Sequence, residues 1–457
     1  MFTPESVGLR DYLSPDSRGR TISDAHHELS LSESYRTTCV TTGVQQLAGR
    51  SVLLAVSGQL LSALAMIEID GVVRRMLLCP PDINPNLIEN LIKEAEIDAI
   101  VTDEPQRWSE AGINVLTVHF PEPTDVRQKT ERATDWLMLT SGTSGAPKIV
   151  SHTLDGLCGA IHVDGTSQGT APVWATFYDI RRYGGLQIFL RAVIGGGSMV
   201  LSEPGEPLTD YVARLVARGV THISGTPSHW RKFLMSGSVS HFSPSYVRLS
   251  GEIANQAVLD GLAQAFPSAS VGHAYASTEA GVGFAVTDGR EGFPASLIGQ
   301  HSNGVEMKVV DGSLHIRSKR TAQAYIGRDV AALMDSDGFV DTGDMVELRG
   351  ERYYFVGRRG GIINIGGLKV HPEEIEAVIN RHPAVRMSRA KSRRSPITGS
   401  IVVADIVLAA NGIGRERKIR DEIISDCRDQ LAPYKVPVVI SFVETLDVTP
   451  AGKLARI

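Results

Sequence analysis

Residues 137–153 (LMLTSGTSGAPKIVSHT) concentrate more usable chemistry than any other stretch of the chain. Thr140, Ser141, Thr143 and Ser144 supply four hydroxyls, and Gly142 and Gly145 leave backbone N–H groups unobstructed. A loop of this composition can wrap a polyphosphate, because amides and hydroxyls donate and no bulky side chain blocks the approach. Lys148 adds a cation just beyond it. The spacing is not that of a GxxxxGK[ST] loop, since no Ser or Thr follows the lysine. Taken alone, a Gly/Ser/Thr cluster is an ordinary surface turn.

A loop of this kind needs a scaffold, and the flanking sequence provides one. The chain has 457 residues, 42% of them hydrophobic and 21% charged, which is ample for a core and two or more domains. Apolar runs at 51–56, 76–79, 97–101, 220–224, 246–249 and 270–272 alternate with helical patterns at 60–69, 84–96, 211–218, 228–235 and 255–266. Such alternation predicts α/β layers around a largely parallel sheet. From about residue 298 the texture becomes short strands and turns (MKVVDGSLHIRS, then DGFVDTGDMVELRGERYYFVG), which predicts an antiparallel, hairpin-rich region. The run GRRGG at 357–361 reads as a linker to a last αβ unit of roughly a hundred residues.

Charge and cysteine content narrow the function classes. A net charge of −5 argues against a nucleic-acid binder. No apolar stretch reaches transmembrane or signal-peptide length, so no membrane partner is expected. Cys39, Cys79, Cys158 and Cys427 are scattered without a CxxC pair, which fits reduced thiols in a cytoplasmic protein. Residues 361–457 carry 15 Lys/Arg against 11 Asp/Glu, a net +4, and the remainder carries −9. Part of the excess is RMSRAKSRR (386–394). Its plain reading is a solvated loop, and its functional reading is a contact for an acidic or phosphorylated partner.

Several motifs in fixed order resemble those of the adenylate-forming superfamily, which comprises acyl-CoA synthetases, carrier-protein adenylation domains and luciferases. They are the loop 140–148, YASTE at 275–279, GFVDTGD at 338–344, GGLKVHPEEIE at 366–376 and PAGK at 450–453. The resemblance implies a large N-terminal adenylate-forming domain over 1–357, a hinge at 358–361 and a mobile α+β lid over 362–457. It also implies ATP and AMP binding by Thr140, Ser141, Gly142, Thr143, Ser144, Gly145, Gly251, Glu252, Tyr275, Asp344 and Arg358. Tyr275 would stack on adenine, Asp344 would take both ribose hydroxyls with help from Arg358, and Thr278 would contact the α-phosphate. Glu279 would hold Mg²⁺, as suits a hard carboxylate oxygen. Lys148 and Lys453 complete the catalytic set, and Gly366, Gly367 and Lys369 would guide the thiol. Two departures stand out. The loop comes early in the chain, implying a more open pocket or one completed by a second subunit, and Gly361 replaces the usual hinge Asp or Lys.

The implied reaction has two steps: a small carboxylic acid and ATP give acyl-AMP and pyrophosphate, then a thiol takes the acyl group. The thiol is coenzyme A or the phosphopantetheine of a carrier protein, and an inactive acyl-adenylate-binding protein is the alternative of another class. By position the acyl pocket draws on Tyr178, Arg181, Arg182, Tyr183 and Gly225. Arg181 and Arg182 could read a second anionic group on a functionalised or aromatic acid, or they could be an exposed pair at a helix start. Asp179 keeps an amino-acid substrate open. The sequence leaves monomer and homodimer both possible.

Overall fold

The computed structural model describes residues 8–13, 19–34, 36–41, 43–124, 130, 132–140, 147–161, 171–327, 331–365, 368–395, 399–448 and 454. Two eight-stranded sheets form the large N-terminal part. The first has a parallel centre, in the order Asp135–Leu139, Arg75–Leu78, Ser51–Ala55, Ala99–Thr102 and Asn114–Pro123. Antiparallel strands flank it, and on one edge Ile149–His152 pairs with Ala324–Ile326. The second runs parallel through Ser270–Ser277, Tyr246–Leu249, His222–Gly225, Val173–Thr176, Ser198–Val200 and Thr21–Ser23.

Helix Gln59–Ile69 buries ten of its eleven residues and has no polar face. A helix that is apolar all round belongs between layers rather than at a surface, and this one shares a core with helix Tyr183–Ile194. Its one acidic residue, Glu68, is buried but satisfied, accepting from the Cys39 amide at 2.7 Å. A separate core fills the other face of the second sheet with Trp230, Phe233, Phe242 and Phe266. Six strands between residues 293 and 358, Ala324–Ile326 not among them, form an antiparallel sheet, as the hairpin texture predicted. Beyond it, helices Pro372–Ile379 and Glu416–Gln430 pack on a two- and a three-stranded sheet around a core of their own.

Three local expectations are corrected. The run 386–394 is not a loop: it lies within the strand Val385–Ser395, paired along Gly399–Leu408. There Arg389 and Lys391 both bind Asp405, at 3.0 and 2.5 Å. Strand Ser270–Ser277 runs past residue 272 and carries Tyr275 within it. Gly357, placed in an exposed linker, is buried with φ of 141°. A Cβ there would stand 2.5 Å from Glu373 Oε2 and 2.9 Å from His371 Nδ1. The strand before the linker therefore meets the C-terminal unit at a point where only glycine fits.

Candidate active site

Residues from all three large sheets converge around Tyr275 and Asp344. The Tyr275 hydroxyl donates to Asp344 Oδ2 at 2.6 Å. Asp344 and Arg358 are direct partners in the antiparallel ladder, which brings Arg358 Nε to 2.9 Å from Asp344 Oδ1. Burial, reinforced by Asp344, pushes the Tyr275 phenol well above its usual range, so it remains a donor. Burial would pull Arg358 down, but Asp344, Tyr275 and Glu279 outweigh it and its guanidinium holds its proton more tightly. A carboxylate has about four lone-pair directions; these two neighbours occupy one on each oxygen and leave the others for a ligand. The Tyr275 ring lies near-parallel to Phe355 and Phe284, at centroid distances of 5.3 and 5.7 Å.

Glu279 follows the same strand. Its peptide is fixed on both sides: Ala322 N–H donates to Glu279 O at 2.9 Å, and His152 Nε2 lies 2.7 Å from Thr278 O. His152 is fully buried, and burial pulls it down to about 4. It is therefore neutral, with its proton on Nε2, donating to the Thr278 carbonyl. Gly281, with φ of 72°, admits no side chain, since a Cβ would lie 2.1 Å from Arg320 O. The turn that presents Glu279 thus depends on that glycine. Among the described residues the Glu279 carboxylate makes no hydrogen bond, which leaves its oxygens available to a cation.

Thr140 and Lys148 close the base of the hydroxyl-rich loop with two bonds, Thr140 N to Lys148 O at 2.9 Å and Lys148 N to Thr140 Oγ1 at 3.3 Å. Lys148 Nζ stands 4.5 Å from the centroid of the Tyr325 ring. Tyr325 is pushed up to about 12 by burial and then by Glu279, so Lys148, Tyr325, Glu279 and Arg358 form one electrostatic neighbourhood. Ser141, Gly142, Thr143, Ser144, Gly145, Gly366, Gly367 and Lys453 lie outside the described residues. Lys369 is exposed on the strand Leu368–Val370. Gly361 ends a single 3₁₀ turn where a Cβ would meet nothing, so this arrangement does not itself require glycine.

The expected acyl-pocket residues divide. Tyr178 donates to Ser250 O at 2.7 Å and meets His229 edge-on at 5.9 Å, and a Cβ on Gly225 would touch the Phe177 ring at 2.7 Å. Arg181, however, is 1% exposed and not a substrate reader. The Arg181 guanidinium donates to Asp179 at 2.8 and 2.5 Å and also to Val56 O and Ser57 O. Asp179 is committed by the same pair. Arg182 forks onto Asp82 at 2.6 and 2.5 Å, and Tyr183 is buried with its ring 5.5 Å from His152. Glu252, expected at the nucleotide, instead accepts from Ser228 N at 2.9 Å, Ser228 Oγ at 3.0 Å and Leu454 N at 3.1 Å.

Sequence reasoning passed over His152, Tyr325 and His229. His152 sits in the quoted loop segment and could have been found as the last polar residue of a buried strand. Tyr325 and His229 carry no motif signal, because strand pairing and helix packing alone bring them in. His229 accepts from Thr226 N at 3.2 Å, and burial takes it down to about 4.

This fold and site define an adenylate-forming architecture. The chain belongs to the AMP-binding enzyme family, which matches residues 61–325, and the AMP-binding enzyme C-terminal domain matches 374–453. It is an AMP-forming acid–thiol ligase of the acyl-CoA synthetase type. It resembles a 2-succinylbenzoate–CoA ligase of Staphylococcus epidermidis, 26% identical over 336 residues, covering 70% of this chain and 68% of that one. The corresponding ligase of Listeria monocytogenes is 27% identical over 382 residues, covering 80% and 79%. Among solved structures, the anthranilate CoA ligase AuaEII in complex with anthranoyl-AMP superposes with a TM-score of 0.81 at 18% identity, covering 99% of this chain and 96% of that one. No helix among the described residues is long and apolar enough to cross a membrane.

Proposed function

We propose that this enzyme activates a small or medium aromatic or functionalised carboxylic acid with ATP and transfers the acyl group to coenzyme A. The observation that carries this reading is the meeting of Tyr275, Asp344, Arg358, Glu279 and Lys148 from three sheets. An aromatic ring, a carboxylate that could accept from a ribose and a set of charges that could meet phosphates stand together there. Asp344, already held by Tyr275 and Arg358, would accept from the ribose hydroxyls. The clasped loop above Thr140, with Lys148, would supply donors to the phosphates. Glu279 would hold Mg²⁺, which when bound offsets phosphate charge.

In the first step the acid's carboxylate attacks the α-phosphorus and pyrophosphate leaves. Lys453 would stabilise the charge that develops as the two anions meet, a fitting task for a compact cation on a flexible stem. In the second step residues 362–457 would turn as a lid about 358–361, withdraw Lys453 and bring Lys369 and its neighbours toward the thiol. One small site can host two reactions in this way. Phe177, Tyr178 and His229, whose rings meet at 5.7 and 5.9 Å, would line the acyl side and so favour an aromatic acid. The names of relatives that act on 2-succinylbenzoate and anthranilate support that class.

The test is a pyrophosphate-release screen with ATP, Mg²⁺ and a panel of acids led by 2-succinylbenzoate, anthranilate, benzoate and malonate. CoA or a holo carrier protein is then offered to the charged enzyme. We expect release with an aromatic acid and thioester formation on CoA. Release without any transfer to CoA, but with transfer to the carrier protein, would replace the acceptor in this reading.

A further inference from the structure

The Glu252 carboxylate joins three parts of the molecule that are far apart in sequence. It follows the strand Tyr246–Leu249 of the second sheet and accepts two bonds from Ser228, in the first turn of helix Pro227–Met235. Its Oε1 also accepts the amide of Leu454, 202 residues away. Leu454 itself is held by an antiparallel bridge to Val448. The C-terminal strap is thereby tied to the body at the peptide that immediately follows Lys453. Elsewhere the C-terminal unit touches the body at the Gly357 notch and through Arg381 and Glu291, 4.0 Å apart. The Gly357 notch adjoins Arg358, on the nucleotide side of the site, and the Arg381 contact adjoins no residue assigned to the chemistry, so neither lies beside Lys453.

We infer that Glu252 is a positioning residue for adenylation: it latches the C-terminal strap so that Lys453 is delivered to the first half-reaction. This rests on the role proposed above for Lys453. Two properties make Glu252 suited to the task. The Ser228 bonds hold its carboxylate in place at a helix N-terminus, where negative charge is favoured, so the acceptor is in place before the strap arrives. Among the described residues a single backbone amide completes the contact, and its loss for the second half-reaction leaves Glu252 satisfied by Ser228.

The test compares Glu252→Ala and Glu252→Gln with the wild type in three measurements. Amide exchange of the C-terminal peptide 443–457 needs no turnover. Pyrophosphate release is followed with the panel acid that gives the highest rate. Thiolysis by CoA is followed with the acyl-AMP of that acid, made beforehand. Glu252→Ala should speed exchange of the C-terminal peptide and lower the kcat of adenylation about tenfold, the worth of one charge-assisted hydrogen bond. The KM for ATP and the thiolysis rate should stay at wild-type values. Glu252→Gln keeps an oxygen that can accept from Leu454 and should recover most of the loss. A rise in the KM for ATP with kcat intact would overturn the inference and make Glu252 a nucleotide ligand. Unchanged exchange in both variants would overturn it as well, even where the wild type adenylates normally. Wild-type protein that forms no acyl-AMP, yet shows the exchange difference, would count against the proposed function and not against the latch.

Discussion

Asp344 and Arg181 are both charged groups held by named partners, and the partners leave them with different capacities. Asp344 is pinned by Tyr275 and Arg358 through one lone pair on each oxygen, in a half-buried position. It is oriented but not consumed. Arg181 spends its guanidinium on Asp179 and on two backbone carbonyls, and only 1% of its surface remains accessible. It is fully consumed. Two charges that looked equally functional by position differ because one borders a space and the other closes a seam. A candidate binding residue is thus better judged by the hydrogen-bonding capacity it has left than by its charge.

That contrast can be broken by experiment. Replacing Arg181 with Ala should cost about 3–5 kcal/mol of stability, since it strands Asp179 and two carbonyls in a buried setting. The KM for the acid should be unchanged in whatever folds. Urea unfolding followed by intrinsic fluorescence, beside acid titrations, would show it. A raised acid KM with normal stability would restore Arg181 as a substrate reader.

Lys453→Ala tests the opposite end. Acyl-AMP formation should fall roughly 10²–10³-fold, the usual loss when a group that stabilises transition-state charge is removed. Thiolysis of acyl-AMP made beforehand should continue, and equal loss of both half-reactions would refute the assignment.

His152 offers a pH test of the support beneath Glu279. Its folded value is about 4, below the ordinary 6.5, so protons favour the unfolded chain. Stability therefore rises with pH between about 4 and 6.5 and is complete above that window. At pH 5 this one group should cost about 2 kcal/mol relative to pH 7. His152→Gln, which can still donate to Thr278 O, should shrink the drop in melting temperature between pH 7 and pH 5. An identical drop in the variant would assign the effect to other groups, His229 first.

The smallest effect concerns the basic strand. Arg389 and Lys391 already share Asp405, which leaves Arg393 and Arg394 exposed near its end. Neutralising that pair should slow thioester formation two- to threefold at low salt, with the difference fading at physiological ionic strength. Wild-type rates at low salt would leave the strand with a purely structural role.

The same contrast explains what the sequence revealed. Strand Tyr246–Leu249 and the hairpin-rich region were legible because a buried strand and a tight turn write their demands into neighbouring residues. Tyr275, Asp344 and Arg358 were singled out by motifs far apart in sequence, and the structure brings these three side chains into contact. The acyl side was not legible. Arg181 could not be separated from a substrate reader without knowing that Val56 and Ser57 lie against it, more than a hundred residues away in sequence. Strand Val385–Ser395 was misread as a loop because five of its residues are basic. Two of them, Arg389 and Lys391, share Asp405 on the adjacent strand, which offsets their charge within the ladder.

Gln59 shows how the two eight-stranded sheets are kept in register. Its side-chain amide donates to Ser202 O and Oγ at 2.9 and 2.8 Å, and its carbonyl accepts from Ile180 N at 2.8 Å. Ser202 and Ile180 follow strands of the second sheet, and Gln59 begins the helix that follows a strand of the first. One side chain thus ties the two halves together, beside the bonds of Arg181 to Val56 O and Ser57 O and of Arg182 to Asp82. Lys148 and Tyr325 stand on one half and Tyr275 on the other, so an error in the spacing of the halves would carry over to the distance between Tyr275 and Lys148. Shortening that tie by one methylene, as Asn would, should strain the join between the two halves at a position outside the candidate site.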